Sequence, residues 1–386
     1  MSDSFIIRPR GTSPWVEGVE RHAQQPLELD PVFGPLAEHC ADDAVTDLFV
    51  NGAAGLFVDR GHGTERVPSW SASEREVRDL AVALVGLGGR HLDDQAPCVD
   101  VRLDSGIRVH AVLAPVSTSG TALSIRIPRV RAADLAALAG LGAFDPSQHE
   151  WLLELVAARA NILITGGTGT GKTTLLSALL TEVPADERII TIEDAAELSL
   201  QQEHVVRLES RPANVEGAGQ VTIRDLVRNS LRMRPDRIVV GEVRGGETLD
   251  MLQAMNTGHE GSLTTVHANS AADALGRLET LASMSDLDLP VDTLRDQINS
   301  AIDVVVHLER AASGARRVSH VEALVSKRRE DYAMVSLVRY APPPPGSAEG
   351  TAGAFRHFAL PQALRDTLLA AGESVPAAFT SGVVTP

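Results

Sequence analysis

Residues 166–173 read Gly166-Gly167-Thr168-Gly169-Thr170-Gly171-Lys172-Thr173, and this run matches the pattern G-x-x-x-x-G-K-[ST] at every defined position. It follows an apolar segment at residues 161–165 that is typical of a short strand, and it leads into a helical pattern at residues 170–180. Glycines let the backbone wrap closely around phosphate groups, so that its N–H groups point inward. The sequence therefore predicts a phosphate-binding loop for a nucleoside triphosphate, with Lys172 on the β- and γ-phosphates and the Thr173 hydroxyl on Mg²⁺.

The segments around this loop alternate between strand and helix patterns over residues 146–340. This alternation predicts an α/β domain with a mostly parallel sheet covered on both faces, closed by terminal strands at residues 303–308, 318–325 and 332–339. Residues 41–130 predict a smaller α+β domain, whose helix begins at a capping box formed by Ser73 and Glu76. The remaining segments are predicted to be an N-terminal extension (1–40), a linker (131–145), and a Pro-rich linker with a C-terminal tail (341–386).

Two more apolar strands of the larger domain end in acidic residues. The strand at residues 237–240 precedes Glu242, a Walker-B-like arrangement in which the carboxylate can support Mg²⁺ or orient water beside the loop. The strand at residues 189–192 precedes Glu193, a candidate general base, although a solvated strand end is the simpler interpretation. His267 follows a third short strand and could contact the γ-phosphate, and a hydrogen-bonded core histidine is the alternative there.

Composition restricts the possible functions. The 386 residues include 51 acidic and 35 basic side chains, a net charge of −16 that argues against a protein that tracks along nucleic acid. No apolar run is long enough to span a bilayer, and residues 1–10 lack the features of a signal peptide, which predicts a cytoplasmic protein. Cys40 and Cys98 are isolated, so neither a disulfide nor a zinc site is expected.

Taken together, these motifs resemble the Asp box, Walker B and His box of the type II/type IV secretion ATPase superfamily. Residues 191–277 are most similar to the CpaF/TadA-type ATPases of tight-adherence (Flp) pilus systems. The resemblance lies in Ile192-Glu193-Asp194-Ala195-Ala196-Glu197-Leu198, Gly241-Glu242-Val243-Arg244-Gly245-Gly246-Glu247 and Thr265-Val266-His267-Ala268-Asn269, among other stretches. It is dense over residues 163–281 and looser over residues 45–127, and the tetracysteine zinc site of some relatives is absent.

The resemblance implies a RecA-like P-loop ATPase domain that binds ATP and Mg²⁺. In that family pattern Lys172 and Thr173 bind nucleotide and metal, Glu242 supports the metal, Glu193 activates water and His267 senses the γ-phosphate. The nucleotide-binding set comprises Gly166, Gly167, Thr168, Gly169, Thr170, Gly171, Lys172, Thr173 and Thr174, with Arg108 and Arg126 from the N-terminal domain. Further candidates are Arg207, Arg224 and Arg234, and an ordinary surface arginine is the alternative for each of the five.

The resemblance also implies a hexameric ring that acts on an inner-membrane platform protein, at the inner face of the cytoplasmic membrane, to assemble pili or secrete proteins. The main alternative is a nucleic-acid translocase of the conjugation type on the same core. That alternative predicts a basic channel, which the net charge disfavours, so no stable nucleic-acid binding is expected. A non-hydrolysing nucleotide switch is disfavoured by the joint presence of Glu193, Glu242 and His267. An ABC-type ATPase is disfavoured because the chain has no LSGGQ-like signature.

Overall fold

The computed structural model describes residues 29–380, apart from residues 62, 104, 128–133, 196, 199, 201, 212, 214–217, 312–313, 327–330 and 345–352. Two compact units divide the chain. The first runs to residue 125, and the second comprises residues 126 onward together with the short segment 60–64. Most of the predicted N-terminal extension, residues 131–133 of the predicted linker and the centre of the Pro-rich segment lie outside the described residues. Within the described ranges, no helix combines the length and the apolar character needed to cross a membrane.

The first unit is built on a six-stranded sheet. Its elements are α1 (Ala37–Ala41), β1 (Asp47–Asn51), β2 (Leu56–Asp59), β3 (Thr64–Arg66), α2 (Glu74–Leu87), β4 (Cys98–Arg102), β5 (Arg108–Val112) and β6 (Ala122–Arg126), with the strand order β3-β2-β1-β6-β5-β4. The predicted capping box is confirmed, because the Ser73 hydroxyl accepts from the N–H of Glu76 and the Glu76 carboxylate accepts from the N–H of Ser73. Strand β3 was not predicted, since its three residues are exposed and carry no apolar alternation.

The second unit alternates helices and strands as predicted. Its elements are α3 (Leu135–Gly140), α4 (Pro146–Ala157), β7 (Ile162–Gly166), α5 (Lys172–Thr181), β8 (Ile189–Glu193), β9 (Val205–Glu209), α6 (Ile223–Ser230), β10 (Arg237–Val240), α7 (Glu247–Met255), β11 (Leu263–His267), α8 (Ala271–Ala282), α9 (Val291–Ala301), β12 (Val304–Arg310), β13 (Arg316–Leu324), β14 (Met334–Ala341), β15 (Ala354–His357) and α10 (Gln362–Ala370).

The strands of this unit form one nine-stranded sheet in the order β15-β14-β13-β12-β7-β11-β10-β8-β9. The six strands from β12 to β9 run parallel, and β13, β14 and β15 are antiparallel additions. Ile162 and Ile164 of β7 face one buried cluster and Leu163 faces another, which confirms that helices cover both faces. The predicted α/β class, with a mostly parallel sheet and a smaller N-terminal domain, is therefore confirmed.

This sheet brings the predicted functional segments to one edge. Strands β7, β11, β10 and β8 are consecutive neighbours, and the carboxyl ends of parallel strands meet at the same side of a sheet. Strand β10 is anchored at its start by Arg237, whose fully buried guanidinium donates to Glu187 (2.6 Å) and to the carbonyl of Val156 (2.8 Å). The other end of β10, which leads to Glu242, is thus held in a fixed position.

The C-terminal tail has more structure than its composition predicts. Strand β15 pairs with β14, and the Phe379 ring, fully buried, stacks on Trp151 of α4 with ring centroids 5.1 Å apart. His357 Nε2 also lies 2.7 Å from the Asp145 carboxylate, which caps the start of α4. Residues 354–379 therefore pack against α4 and belong to the core of this unit. These residues were predicted to be a tail, because a Pro-rich segment precedes them and the pairing of β15 with β14 joins segments on either side of it.

The β12–β13 hairpin is also longer than predicted. Strand β12 continues two residues beyond residue 308, and β13 begins at Arg316, two residues before the predicted start. Polar side chains at these positions mask the strand pattern in the sequence. The extension carries the two strands past the end of β7, alongside the predicted phosphate-binding loop.

Candidate functional site

The loop between β7 and α5 has the backbone that its glycines predict. Gly166 adopts a φ of +152°, and a Cβ there would lie 2.5 Å from the carbonyl oxygen of Leu308, so only glycine fits. Gly171 is left-handed (φ +98°) and stands at the N-cap of α5, where no side chain caps the helix. The first N–H groups of α5 are therefore free of side-chain acceptors, which is the arrangement that binds phosphate at a helix N-terminus.

Lys172 lies at the centre of this loop. Its ammonium donates to the carbonyls of Gly166 (3.0 Å) and Gly167 (2.9 Å), and it lies 3.3 Å from Nδ1 of His267. The side chain is only 7% exposed. Burial lowers the pKa of Lys172, the nearby Arg244 guanidinium lowers it further, and the Glu242 carboxylate acts in the opposite direction. The ammonium is thus desolvated and held by neutral acceptors that phosphate oxygens can replace.

His267 connects the loop to the predicted Walker B strand. It ends β11 directly beside Gly166 of β7, with which it is in register. Its Nε2 lies 3.0 Å from the Glu242 carboxylate, while Nδ1 faces Lys172. A neutral ring with the proton on Nε2 satisfies both contacts, because Nε2–H donates to the carboxylate and Nδ1 accepts from the ammonium. Burial and the Lys172 charge lower the pKa of His267, which favours this neutral form.

Arg244 extends the same series of contacts. Its Nη2 lies 2.7 Å from the second carboxylate oxygen of Glu242, and its Nη1 lies 3.5 Å from the Asp194 carboxylate. The Glu242 contact raises the pKa of the guanidinium. Both oxygens of Glu242 are therefore engaged, one by His267 and one by Arg244. Arg244 is a functional candidate that the sequence motifs alone do not single out. Its position two residues after Glu242, in a Gly-rich turn, was the available signal.

Glu193 occupies a different position from Glu242. Its side chain is 5% exposed, and Oε1 accepts from the backbone N–H groups of Glu197 (2.8 Å) and Leu198 (3.1 Å). Gly241 passes so close that a Cβ there would lie 2.8 Å from Cγ of Glu193. The carboxylate is thus fixed at the carboxyl end of β8, next to the turn that carries Glu242. It is not the solvated strand end that the residues alone favoured.

The site suits a magnesium–nucleotide complex. Free N–H groups at the start of α5 and a desolvated ammonium are groups that bind polyphosphate. The Thr173 hydroxyl and the Glu242 carboxylate are hard oxygen donors of the kind that Mg²⁺ prefers. No cluster of three or more His, Cys, Asp or Glu side chains able to hold a metal exists in the described ranges.

An open cavity of about 380 Å³ lies at the carboxyl ends of β10 and β11. Its walls are Glu242, Val243, Arg244, Val266, His267 and Arg277. Arg277 lies on α8 with an exposed side chain. The side chains of His267, Glu242 and Arg244 therefore border a solvent-accessible space into which a ligand can enter.

The five arginines named from the sequence occupy three kinds of position. Arg108 and Arg126 lie on β5 and β6 of the N-terminal sheet. Arg207 donates to the carbonyl of Leu200 (2.7 Å), and Arg224 forms ion pairs with Asp250 and Asp286. Arg234 is an exposed residue in the left-handed conformation, with a φ of +53°. Arg207 and Arg224 thus have structural partners within their own domain, and the nucleotide contacts of Arg108 and Arg126 stay predictions.

Comparison with known proteins shows the family to which the chain belongs. Residues 33–338 match the family described as Type II/IV secretion system protein. A Mycobacterium tuberculosis protein described as a putative conjugal transfer protein is 48% identical over 288 residues, which cover 73% of this chain and 81% of that protein. A Bordetella bronchiseptica protein described as a type IV secretion system protein PtlH homolog is 38% identical over 300 residues, 71% and 88% of the respective chains.

A solved structure has the same fold. The Legionella pneumophila ATPase DotB superposes with a TM-score of 0.53 at 23% identity and covers 78% of this chain and 82% of its own. The resemblance to secretion ATPases inferred from the motifs is confirmed by the family match. The CpaF/TadA subtype is not, because the relatives named above come from conjugal transfer and type IV secretion, and it stays a prediction.

The contacts of His267 predict how its pKa responds to substitution. In Lys172→Met, the pKa of His267 should rise, because a positive charge that disfavours the imidazolium is removed. In Glu242→Gln it should fall, because the carboxylate that stabilises the imidazolium is lost. Titration of the ring Cε1–H signals by NMR, assigned with His267→Asn, measures both shifts. Equal pKa values in wild type and both variants would show that the ring does not contact these two groups in solution.

Proposed function

Because the chain belongs to the type II/IV secretion system protein family, we propose that it is an ATP-hydrolysing motor that works as a hexameric ring and powers protein secretion or pilus assembly. The observation that carries the proposal is the unbroken series of contacts from Lys172 in the loop through His267 to Glu242. Lys172 begins α5, His267 ends β11 and Glu242 follows β10, and each contacts the next. A family match over residues 33–338, together with this series of side-chain contacts, supports nucleotide hydrolysis better than a passive scaffold.

In this proposal each group has a defined task. Lys172 exchanges its carbonyl contacts for the β- and γ-phosphates, and the N–H groups at the start of α5 hold the remaining phosphate oxygens. Mg²⁺ neutralises part of the phosphate charge, and the Thr173 hydroxyl and Glu242 are the groups that would hold it. Glu193 accepts the proton of the attacking water. His267 lies between Lys172 and Glu242 and senses the γ-phosphate that Lys172 binds.

The partners follow from the family and from the names of the relatives. The ring lies in the cytoplasm against the inner face of the cytoplasmic membrane and acts on an inner-membrane platform protein. Arg108 and Arg126 of one subunit reach the nucleotide of a neighbouring subunit. The Bordetella relative, described as a type IV secretion system protein, supports the secretion role. A conjugation-type translocase is the second candidate, because the Mycobacterium relative is described as a putative conjugal transfer protein.

Two substitutions separate binding from hydrolysis. Lys172→Ala should abolish ATP turnover, because the phosphate contact is lost. Glu193→Gln should bind Mg-ATP with wild-type affinity but turn it over about 10²–10⁴-fold more slowly, since only the base is removed. Glu209→Gln is the matched control, because Glu209 ends the neighbouring edge strand β9 in register with Glu193 and is exposed. Wild-type turnover in Glu193→Gln would exclude Glu193 as the base, and wild-type turnover in Lys172→Ala would refute the site.

The ring model predicts that activity depends on assembly. If arginines act across subunits, specific activity should rise with protein concentration. Mixing Arg126→Ala with Lys172→Ala should restore part of the activity, because mixed rings contain some complete sites. Mixing two batches of Lys172→Ala controls for the procedure and should restore none. A constant specific activity in a species that stays monomeric with ATP, by analytical ultracentrifugation, would rule out the ring.

The response to DNA distinguishes the two candidate functions. A motor that tracks along a strand needs cationic contacts to phosphates and aromatic platforms, whereas this chain has a net charge of −16 and 3% aromatic residues. We expect no stimulation of ATP turnover by saturating single- or double-stranded DNA at about 0.15 M salt, where exposed charges are screened beyond about 8 Å. Stimulation of several-fold would favour the conjugation-type translocase instead.

A further inference from the structure

Two arginines of the β12–β13 hairpin lie beside the phosphate-binding loop. Arg310 and Arg316 face each other across the two strands. Nη1 of Arg310 lies 3.9 Å from the position that a Cβ would occupy on Gly169, and Cδ of Arg316 lies 3.6 Å from the equivalent position on Gly171. Both side chains are exposed. The hairpin thus places two arginine side chains next to the loop backbone.

The strand faces explain why both side chains point toward the loop. Leu308 and Val318, two residues away from Arg310 and Arg316 on the same strands, pack in the buried cluster that also contains Leu175 of α5. Side chains two residues apart share one face of a strand. Arg310 and Arg316 therefore continue the face that covers α5, beyond the point where its apolar packing ends.

Two positive charges lie opposite each other at this end of the hairpin. Like charges directly opposite each other on antiparallel strands are destabilising. In the described part of the chain, no carboxylate forms an ion pair with either Arg310 or Arg316. Arg310 donates a hydrogen bond of 3.3 Å to the carbonyl of Gly61, which belongs to the same compact unit. The neighbouring cross-strand pair differs, because it joins opposite charges, Glu309 and Arg317. An anion beside the loop would offset the repulsion.

The position along the loop indicates which part of a nucleotide would meet these arginines. Loop N–H groups cradle the α- and β-phosphates, whereas the loop lysine reaches the β- and γ-phosphates. Lys172 contacts His267, which contacts Glu242, so these groups lie toward the γ-phosphate. Arg310 and Arg316 approach other residues of the loop, Gly169 and Gly171. We propose that Arg310 and Arg316 bind the phosphates shared by ATP and ADP and form a second cationic wall of the nucleotide site.

This inference rests on the proposed function, since it requires that the loop binds nucleotide. The test is the affinity of full-length protein for Mg-ATP and for Mg-ADP by isothermal titration calorimetry. Arg316→Ala should weaken both affinities by about tenfold, the effect of losing one charge-assisted hydrogen bond, and Arg316→Lys should recover part of the loss. Arg310→Ala should also lower the affinity for both Mg-ATP and Mg-ADP.

Arg317→Ala is the matched control. Arg317 is the next residue on the same strand, and its guanidinium lies 4.2 Å from the centroid of the Tyr340 ring, on the other face. The Arg317→Ala variant should bind Mg-ATP and Mg-ADP with wild-type affinity. Wild-type affinities in Arg316→Ala, or a loss confined to Mg-ATP, would overturn the assignment while leaving the proposed ATPase intact. If the wild-type protein bound neither nucleotide, the proposed function itself would fall, and this inference with it.

Discussion

The buried ammonium of Lys172 is the constraint on which the site depends. A cation in a desolvated position is stable only when acceptors surround it, and here the acceptors are two loop carbonyls and one imidazole nitrogen. The carbonyls of Gly166 and Gly167 point inward because Gly166 adopts a backbone conformation that a side chain would block. The imidazole arrives because β11 pairs with β7 in the register that sets His267 beside Gly166. Loop conformation and strand register therefore together supply the acceptors that stabilise the Lys172 ammonium.

Sheet order explains why polar groups from distant parts of the chain meet at the edge of the sheet that carries this ammonium. Strand β7 lies at the centre of the sheet, with β11, β10 and β8 following on one side and β12 on the other. On the first side, successive strand ends supply His267, Glu242 and Glu193. On the other side, β12 and its partner β13 supply arginines. The strand ends on one side of β7 therefore carry two carboxylates and an imidazole, and those on the other side carry guanidinium groups.

Local signals explain which parts of the site could be predicted from the sequence. The loop motif, the capping box at Ser73 and the apolar strands before Glu193 and Glu242 each depend on residues close together in the chain. By contrast, the clamp of Arg244 on Glu242, the approach of Arg316 to Gly171 and the stacking of Phe379 on Trp151 depend on register and on pairing between distant segments. The environment of Glu193 could not be predicted either. An acidic residue at a strand end suggests a solvated side chain, whereas the backbone N–H groups of Glu197 and Leu198 bind this carboxylate.

The contacts around Glu242 also explain why a strongly acidic chain can hold an anionic ligand. Net charge describes the whole surface, whereas affinity depends on the charges within a few ångströms of the ligand, since salt screens the rest beyond about 8 Å. At the loop, the Glu242 carboxylate is already paired with Arg244 and with the ring of His267, so little of its negative charge faces a phosphate. Lys172, Arg310 and Arg316 add positive charge on either side of the loop. A net charge of −16 is therefore compatible with a compact polyphosphate at this position, because the nearby charges are positive or already paired.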